Sequence, residues 1–216
     1  MAKRYEGITA LPYRPIRLDT TGLQATDRDG WVDPKTGMIV SLTEDGRALT
    51  EPYWLDDLDQ ARHKLACDYG EAGCLIEADP ISVGGTMGMV QLFKVPDAQR
   101  ERGLIFSATI FVAKTTETVR MQFIAREGGI TGAREAVVAV KLQNFGQRDK
   151  HPYAPEFHSR LPYLRSDDEA WDELFPEHPL SLLRAQIKHT ARTARVDPGF
   201  AALPQFRGTT RAQGRR

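Results

Sequence analysis

The chain has no net charge: its 29 Lys and Arg are matched by 29 Asp and Glu, so no overall field draws it to nucleic acid or an anionic membrane. No window approaches the roughly 18 consecutive apolar residues that a membrane helix needs. The amino-terminal MAKRYEGITALPYRP starts basic but lacks the apolar core of a signal peptide. These absences predict a cytoplasmic protein with no membrane partner. Cysteine is scarce too. Cys67 and Cys74 are the only two, and their spacing makes neither a CxxC site nor a disulfide framework, which leaves two reduced structural thiols. No catalytic, cofactor or metal motif stands out, so neither a cofactor nor a metal ion is expected and catalysis is disfavoured. What remains is an ordinary globular composition, 41% hydrophobic and 27% charged.

The strongest pattern present is alternation. In Gly103 to Leu142, Leu104, Phe106, Ala108, Ile110 and Val112 fall on one face and Ile105, Ser107, Thr109 and Phe111 on the other. After a polar turn at Lys114 to Thr118, Val119, Met121, Phe123 and Ala125 alternate with Arg120, Gln122, Ile124 and Arg126. This predicts an antiparallel pair in a sheet with one wetter face. A slip of one residue would carry Arg120 and Arg126 into the core, which fixes the register.

Around that pair the spacing predicts an α+β fold, an antiparallel sheet packed by helices in two or three layers, followed by a C-terminal helical hairpin. Residues 1–30 read as an extension with a short strand near Pro15 to Leu18, 31–142 as the sandwich domain, 143–165 as a linker, 166–195 as the hairpin, and 196–216 as a flexible basic tail. Trp31 to Gly37 is turn-rich and buries one aromatic. Within the domain, Met38 to Leu42 is a strand that turns at Asp45-Gly46 into a second, Arg47 to Thr50. Leu55 to Tyr69 is a helix with acids first and bases last, ended by Gly70 and Gly73. A strand begins at Cys74 and is interrupted by Pro80, and Gly84 to Gly88 bends into Met89 to Val95. Ala133 to Leu142 is read as a helix, with a strand as the alternative, and its stripe of Ala133, Ala136, Val137 and Val140 should pack on the sheet. Ser166 to Glu169 reads as a capping box opening a helix with Trp171, Leu174 and Phe175 inward. His178-Pro179 opens another with Leu180, Leu183 and Ile187 on one stripe.

Several residue groups could carry chemistry, and each has a plainer explanation. The Gly84-Gly85-Thr86-Met87-Gly88 bend could cradle a phosphate, but it lacks a GK[ST] ending and leads into a strand, so a sheet corner fits better. Asp27, Asp29 and Asp33 echo a calcium loop without its spacing. His63 and Cys67 share a helix face but show no third orienting group. His151, Glu156, His158 and His178 could gather round a metal, although their spacing is irregular. Charge, by contrast, is segregated. From His178 to the end there are eight basic residues against Asp197 alone. Arg184, Lys188, Arg192 and Arg195 form a basic stripe, and Asp168 and Asp172 belong to an acidic run before it. Mutual neutralisation within the hairpin competes with docking of an acidic protein partner or a phosphate-bearing surface. Nucleic acid is disfavoured because no aromatic interleaving or known motif accompanies the charge.

The order of elements, with the segments Gly88 to Lys94, Gly103 to Val112 and Val119 to Gly132, resembles the Mog1/PsbP-like α/β sandwich over residues 30 to 142. That resemblance implies a non-enzymatic binding or accessory role. The expectation is therefore a protein-binding module, an accessory or immunity-type factor, docking through Arg184, Lys188, Arg192, Arg195, Asp168 and Asp172. The alternative is a small-molecule or lipid-binding domain with a pocket lined by Phe106, Met121 and Phe123. An enzyme would have to rely on His151, His158 or Cys67.

Overall fold

The computed structural model describes residues 13–27, 30–100, 102–129, 131–143 and 149–209. Seven antiparallel strands form the central sheet: β2 (Gln24–Thr26), β3 (Gly30–Val32), β4 (Ile39–Asp45), β5 (Cys74–Val83), β6 (Thr86–Pro96), β7 (Leu104–Ala113) and β8 (Thr118–Arg126). They lie in the order β2-β3-β4-β8-β7-β6-β5. The predicted pair is the centre of this sheet, with Ala108 opposite Phe123 and Ile110 opposite Met121. Phe106, Ala108, Ile110, Val112, Val119, Met121 and Phe123 are all buried on one face, while Arg120 and Arg126 stay exposed as the alternation requires.

That face is covered by α3 (Pro179–Thr193), whose Leu180, Leu183 and Ile187 enter the same core cluster. Each such side chain contributes about 1.5–3 kcal/mol. The opposite face is covered by α1 (Leu58–Gly70) through Ala61, Leu65 and Ala66, joined by Ala154 and Phe206. The sheet is therefore the middle of three layers.

Four departures from expectation have local causes. Residues 47–50 form no strand, because β4 already has β3 on one side and β8 on the other and offers no free edge. β5 runs straight through Pro80, which is tolerated because β5 is the last strand of the sheet and needs amide donors on one side only. Residues 24–26 and Gly30 are part of the sheet instead of an extension. Most of the expected tail is also tied down. β1 (Ile16–Arg17) pairs with β9 (Arg195–Val196). Asp197 then caps α4 (Pro198–Ala202) by accepting from the Gly199 and Phe200 amides, and the Phe200 side chain is wholly buried. Residues 210–216 lie outside the described residues.

Ala133–Leu142 is a helix, α2, but it faces the other way round. Arg134 and Val138 are buried, whereas Val137, Val140 and Leu142 are 40%, 61% and 44% exposed. The acidic arm of the hairpin is two short 3-10 segments, Arg165–Asp167 and Glu169–Leu174, in place of a capped α-helix. Ser166 and Asp167 are buried within it and Leu174 is half exposed. Both the hairpin and the 151–157 segment of the linker pack on the sandwich, through Leu180 and Leu183 on one face and Ala154 on the other.

Candidate functional site

Where α2, the acidic arm and α3 meet the sheet, the interior is ionic. Lys94, on β6, places Nζ 2.6 and 2.9 Å from the two carboxylate oxygens of Asp167, and Asp167 also accepts from the Leu164 amide at 2.8 Å. Arg134 donates from Nε to the Ser166 carbonyl at 2.6 Å and from Nη1 to Ser181 Oγ at 2.8 Å. Its Nη2 donates to the Asp168 carbonyl at 3.0 Å and to Asp172 Oδ1 at 2.9 Å. Arg184 donates to Asp172 Oδ1 at 2.9 Å, to Glu77 Oε1 from Nε at 2.7 Å and to the Asp167 carbonyl at 2.6 Å. A guanidinium can be buried only when its fork of donors is matched in this way. Burial opposes the charge on Arg184, but Glu77 and Asp172 outweigh it and hold its pKa above the ordinary value.

Beside this network, under the corner between β8 and α2, sit Glu127, Glu135 and His178. Glu127 Oε2 accepts from the Leu104 amide at 2.8 Å and Oε1 from the Gly132 amide at 3.3 Å. His178 is the N-cap of α3, with Nδ1 accepting from the Leu180 amide at 3.2 Å, and Phe106 presents its ring edge-on at 5.2 Å. His178 Nε2 lies 3.9 Å from Glu127 Oε1. One ligand atom from each residue falls within 4.8 Å of the other two. His178 Nε2 and Glu135 Oε2 are both shut off from solvent with no hydrogen-bond partner among the described residues. Burial, helped by the positive Arg134, depresses the His178 pKa to about 4, and burial pushes the Glu135 carboxyl up.

The residues expected to bind a partner are divided between the inside and the outside. Arg184 is 4% exposed, and with Asp172 it belongs to the buried network, so it is not part of an accessible stripe. Asp168 is half-buried and accepts from the Tyr163 hydroxyl at 2.5 Å. Lys188, Arg192 and Arg195 are exposed, with Lys188 paired to Glu169. Arg192 and Arg195 reach no carboxylate among the described residues. The dyad of Cys67 and His63 has an Sγ–Nε2 distance of 3.9 Å, but burial and the nearby Glu156 raise the Cys67 pKa, which disfavours a thiolate. His151 is buried with Nε2 2.9 Å from the Leu75 carbonyl, His158 is exposed, and neither joins His178.

Gly84 and Gly85 make the turn of the β5–β6 hairpin, both with positive φ, and a Cβ on Gly84 would come within 2.8 Å of Val196. The bend is thus a sheet corner against β9. Asp33 holds a local turn through the Lys35 amide at 2.8 Å and the Thr36 hydroxyl at 2.8 Å, and residues 28 and 29 lie outside the described residues. Phe106, Met121 and Phe123 are each 0% exposed beneath α3. Open hollows among the described residues are lined by other side chains. One of about 550 Å³ is lined by Leu142, Arg165, Asp168 and Trp171 between α2 and the acidic arm.

The buried network and the Glu127–Glu135–His178 group were not legible in the sequence, because their members are scattered from Glu77 to Arg184 and share no spacing. The one available signal was the acidic run before α3, which suggested neutralisation within the hairpin. No protein-family model matches the chain, and a search of curated proteins finds no match. Among the described residues no helix is long and apolar enough to cross a membrane.

Proposed function

We propose that this chain is a non-enzymatic protein-binding module, an accessory factor on a Mog1/PsbP-like sandwich, and that it meets its partner through the outward face of α2. The observation that carries this reading is the inverted helix: α2 directs Arg134 and Val138 inward and leaves Val137, Val140 and Leu142 exposed. Such a helix would be expected to turn its apolar stripe to the core, and the ionic docking of Arg134 holds it the other way. On the neighbouring arm Leu174 is 50% exposed. Glu173 and Glu177 are exposed there and meet no cation among the described residues. The surface thus suits a partner segment with apolar side chains and a basic flank. The basic edge of α3, at Lys188, Arg192 and Arg195, is the competing surface.

Truncation after Asn144 is a poor test, since it would strip Leu180, Leu183 and Ile187 from the core. A photo-crosslinking amino acid placed in cells at position 140, and separately at position 192, keeps the fold. Crosslinking of a defined polypeptide from position 140, lost in V137E, supports the α2 face. Crosslinking from position 192 alone would transfer the role to the basic edge, and adducts from neither position would refute the docking module.

A further inference from the structure

Among the described residues, the carboxyl groups gathered around α3 outnumber the cations that face them. Lys94 faces Asp167, Arg134 faces Asp172, and Arg184 faces Glu77. Those pairings use every cation of the network and leave Glu127 and Glu135 with an imidazole as their neighbour. Glu127 is 6% exposed. Two carboxylates sharing a poorly solvated pocket repel each other and lose hydration, a cost that proteins offset by pairing, by protonation or by a bound cation. Among the described residues five buried side-chain atoms lack a hydrogen-bond partner, and two of them, Glu135 Oε2 and His178 Nε2, belong to this same pocket, the others being Trp54 Nε1, Thr118 Oγ1 and Ser166 Oγ. Their isolation is an observation separate from the charge count, and it places an unpaired carboxylate oxygen and an unpaired imidazole nitrogen in the same pocket.

We propose that Glu127, Glu135 and His178 form a site for one divalent cation of the Zn²⁺ or Mn²⁺ class. Two carboxylate oxygens supply the charge and hardness that Mn²⁺ favours, and the imidazole nitrogen suits Zn²⁺. Ligand atoms about 2.0–2.2 Å from an ion sit nearer one another than the spread seen here, so the three side chains close in by up to about an ångström. Part of the supporting shell is already in place: the Leu104 amide orients Glu127, and the Phe106 ring packs against the His178 ring. Because Nδ1 accepts from the Leu180 amide, the ring proton of neutral His178 resides on Nε2. Coordination through Nε2 moves that proton to Nδ1, at the expense of one helix-capping bond, and any proton held by Glu135 leaves to solvent. Uptake therefore strengthens as pH rises. The bound ion would join the β8–α2 corner to the start of α3.

The test is calorimetric titration of the full chain, stripped with a chelator, with Zn²⁺ and with Mn²⁺. One ion per chain is expected, with a dissociation constant of about 1 μM or below for Zn²⁺. In E135Q and in E127Q the affinity should fall at least about tenfold while circular dichroism stays native. E71Q, at the exposed end of α1, should bind as the parent does. C67S separates this site from a thiol site on α1 near His63 and Glu156, and it too should leave binding unchanged. Co²⁺ added in place of Zn²⁺ should give visible absorption bands that change in H178N. The proposal is overturned if the parent takes up no ion below about 1 mM, if E135Q and E127Q both bind like the parent, or if C67S abolishes the binding.

Discussion

Lys94 and Asp167 stand 73 positions apart and meet as an ion pair whose two side chains are each 1% exposed. The pair fastens strand β6 to the first 3-10 segment of the acidic arm, and so sets where α3 can lie on the sheet. Removing one partner strands a charge in the interior, which costs about 3–5 kcal/mol, whereas removing both spares that penalty. K94M and D167N should each lower the urea midpoint strongly, and K94M/D167N should lose clearly less than their sum. Additive losses in this double-mutant cycle would show that the two groups do not depend on each other.

Arg184 and Arg192 lie two turns apart on one helix and should behave oppositely. R184A leaves Glu77 and part of Asp172 without a donor, so a loss of about 3–5 kcal/mol is expected, and R184K should recover only part of it because an ammonium cannot reproduce the fork. R192A removes an exposed charge and should stay within about 0.5 kcal/mol of the parent. Chemical denaturation of the three variants checks both statements. Equal effects at the two positions would contradict the burial of Arg184.

His178 should make stability depend on pH. Its folded pKa is about 4, depressed mainly by burial, against about 6.5 in the unfolded chain. The unfolded state therefore takes the proton first as the medium is acidified. The contribution is complete above about pH 6.5 and is lost between about pH 6.5 and 4, amounting to roughly 3 kcal/mol at most. Glu135, whose carboxyl is pushed up by burial, works in the opposite sense: its contribution is present at low pH and fades as pH rises through its folded value. H178N isolates the histidine, since asparagine can still cap α3 without titrating. The parent should lose stability relative to H178N across that window, and parallel curves would refute the assignment.

Alternation made the centre of the sheet legible because β7 and β8 are long and their faces differ, down to the outward Arg120 and Arg126. α1 and α3 were legible for the same reason, with Pro179 marking where α3 begins. α2 was misjudged because hydrophobic spacing assumes that apolar side chains face inward. Here four donors of Arg134 are met by Ser166, Ser181, Asp168 and Asp172, all distant in sequence, and that long-range satisfaction outweighs burial of Val137 and Val140. The same distance hid Arg184 among what looked like a free basic stripe. Phe200 and Phe206, set among Gly, Pro and Gln, gave no periodicity, yet Phe206 reaches Trp54 with ring centres 5.7 Å apart and holds the carboxyl end in place.

Pro80 has one further consequence. It sits in the outermost strand, β5, where the pairing with β6 also slips between Leu75 and Glu77. A second polypeptide trying to zip onto this margin would find one amide absent and the backbone kinked nearby. This margin is thereby a poor template for fibril-like growth.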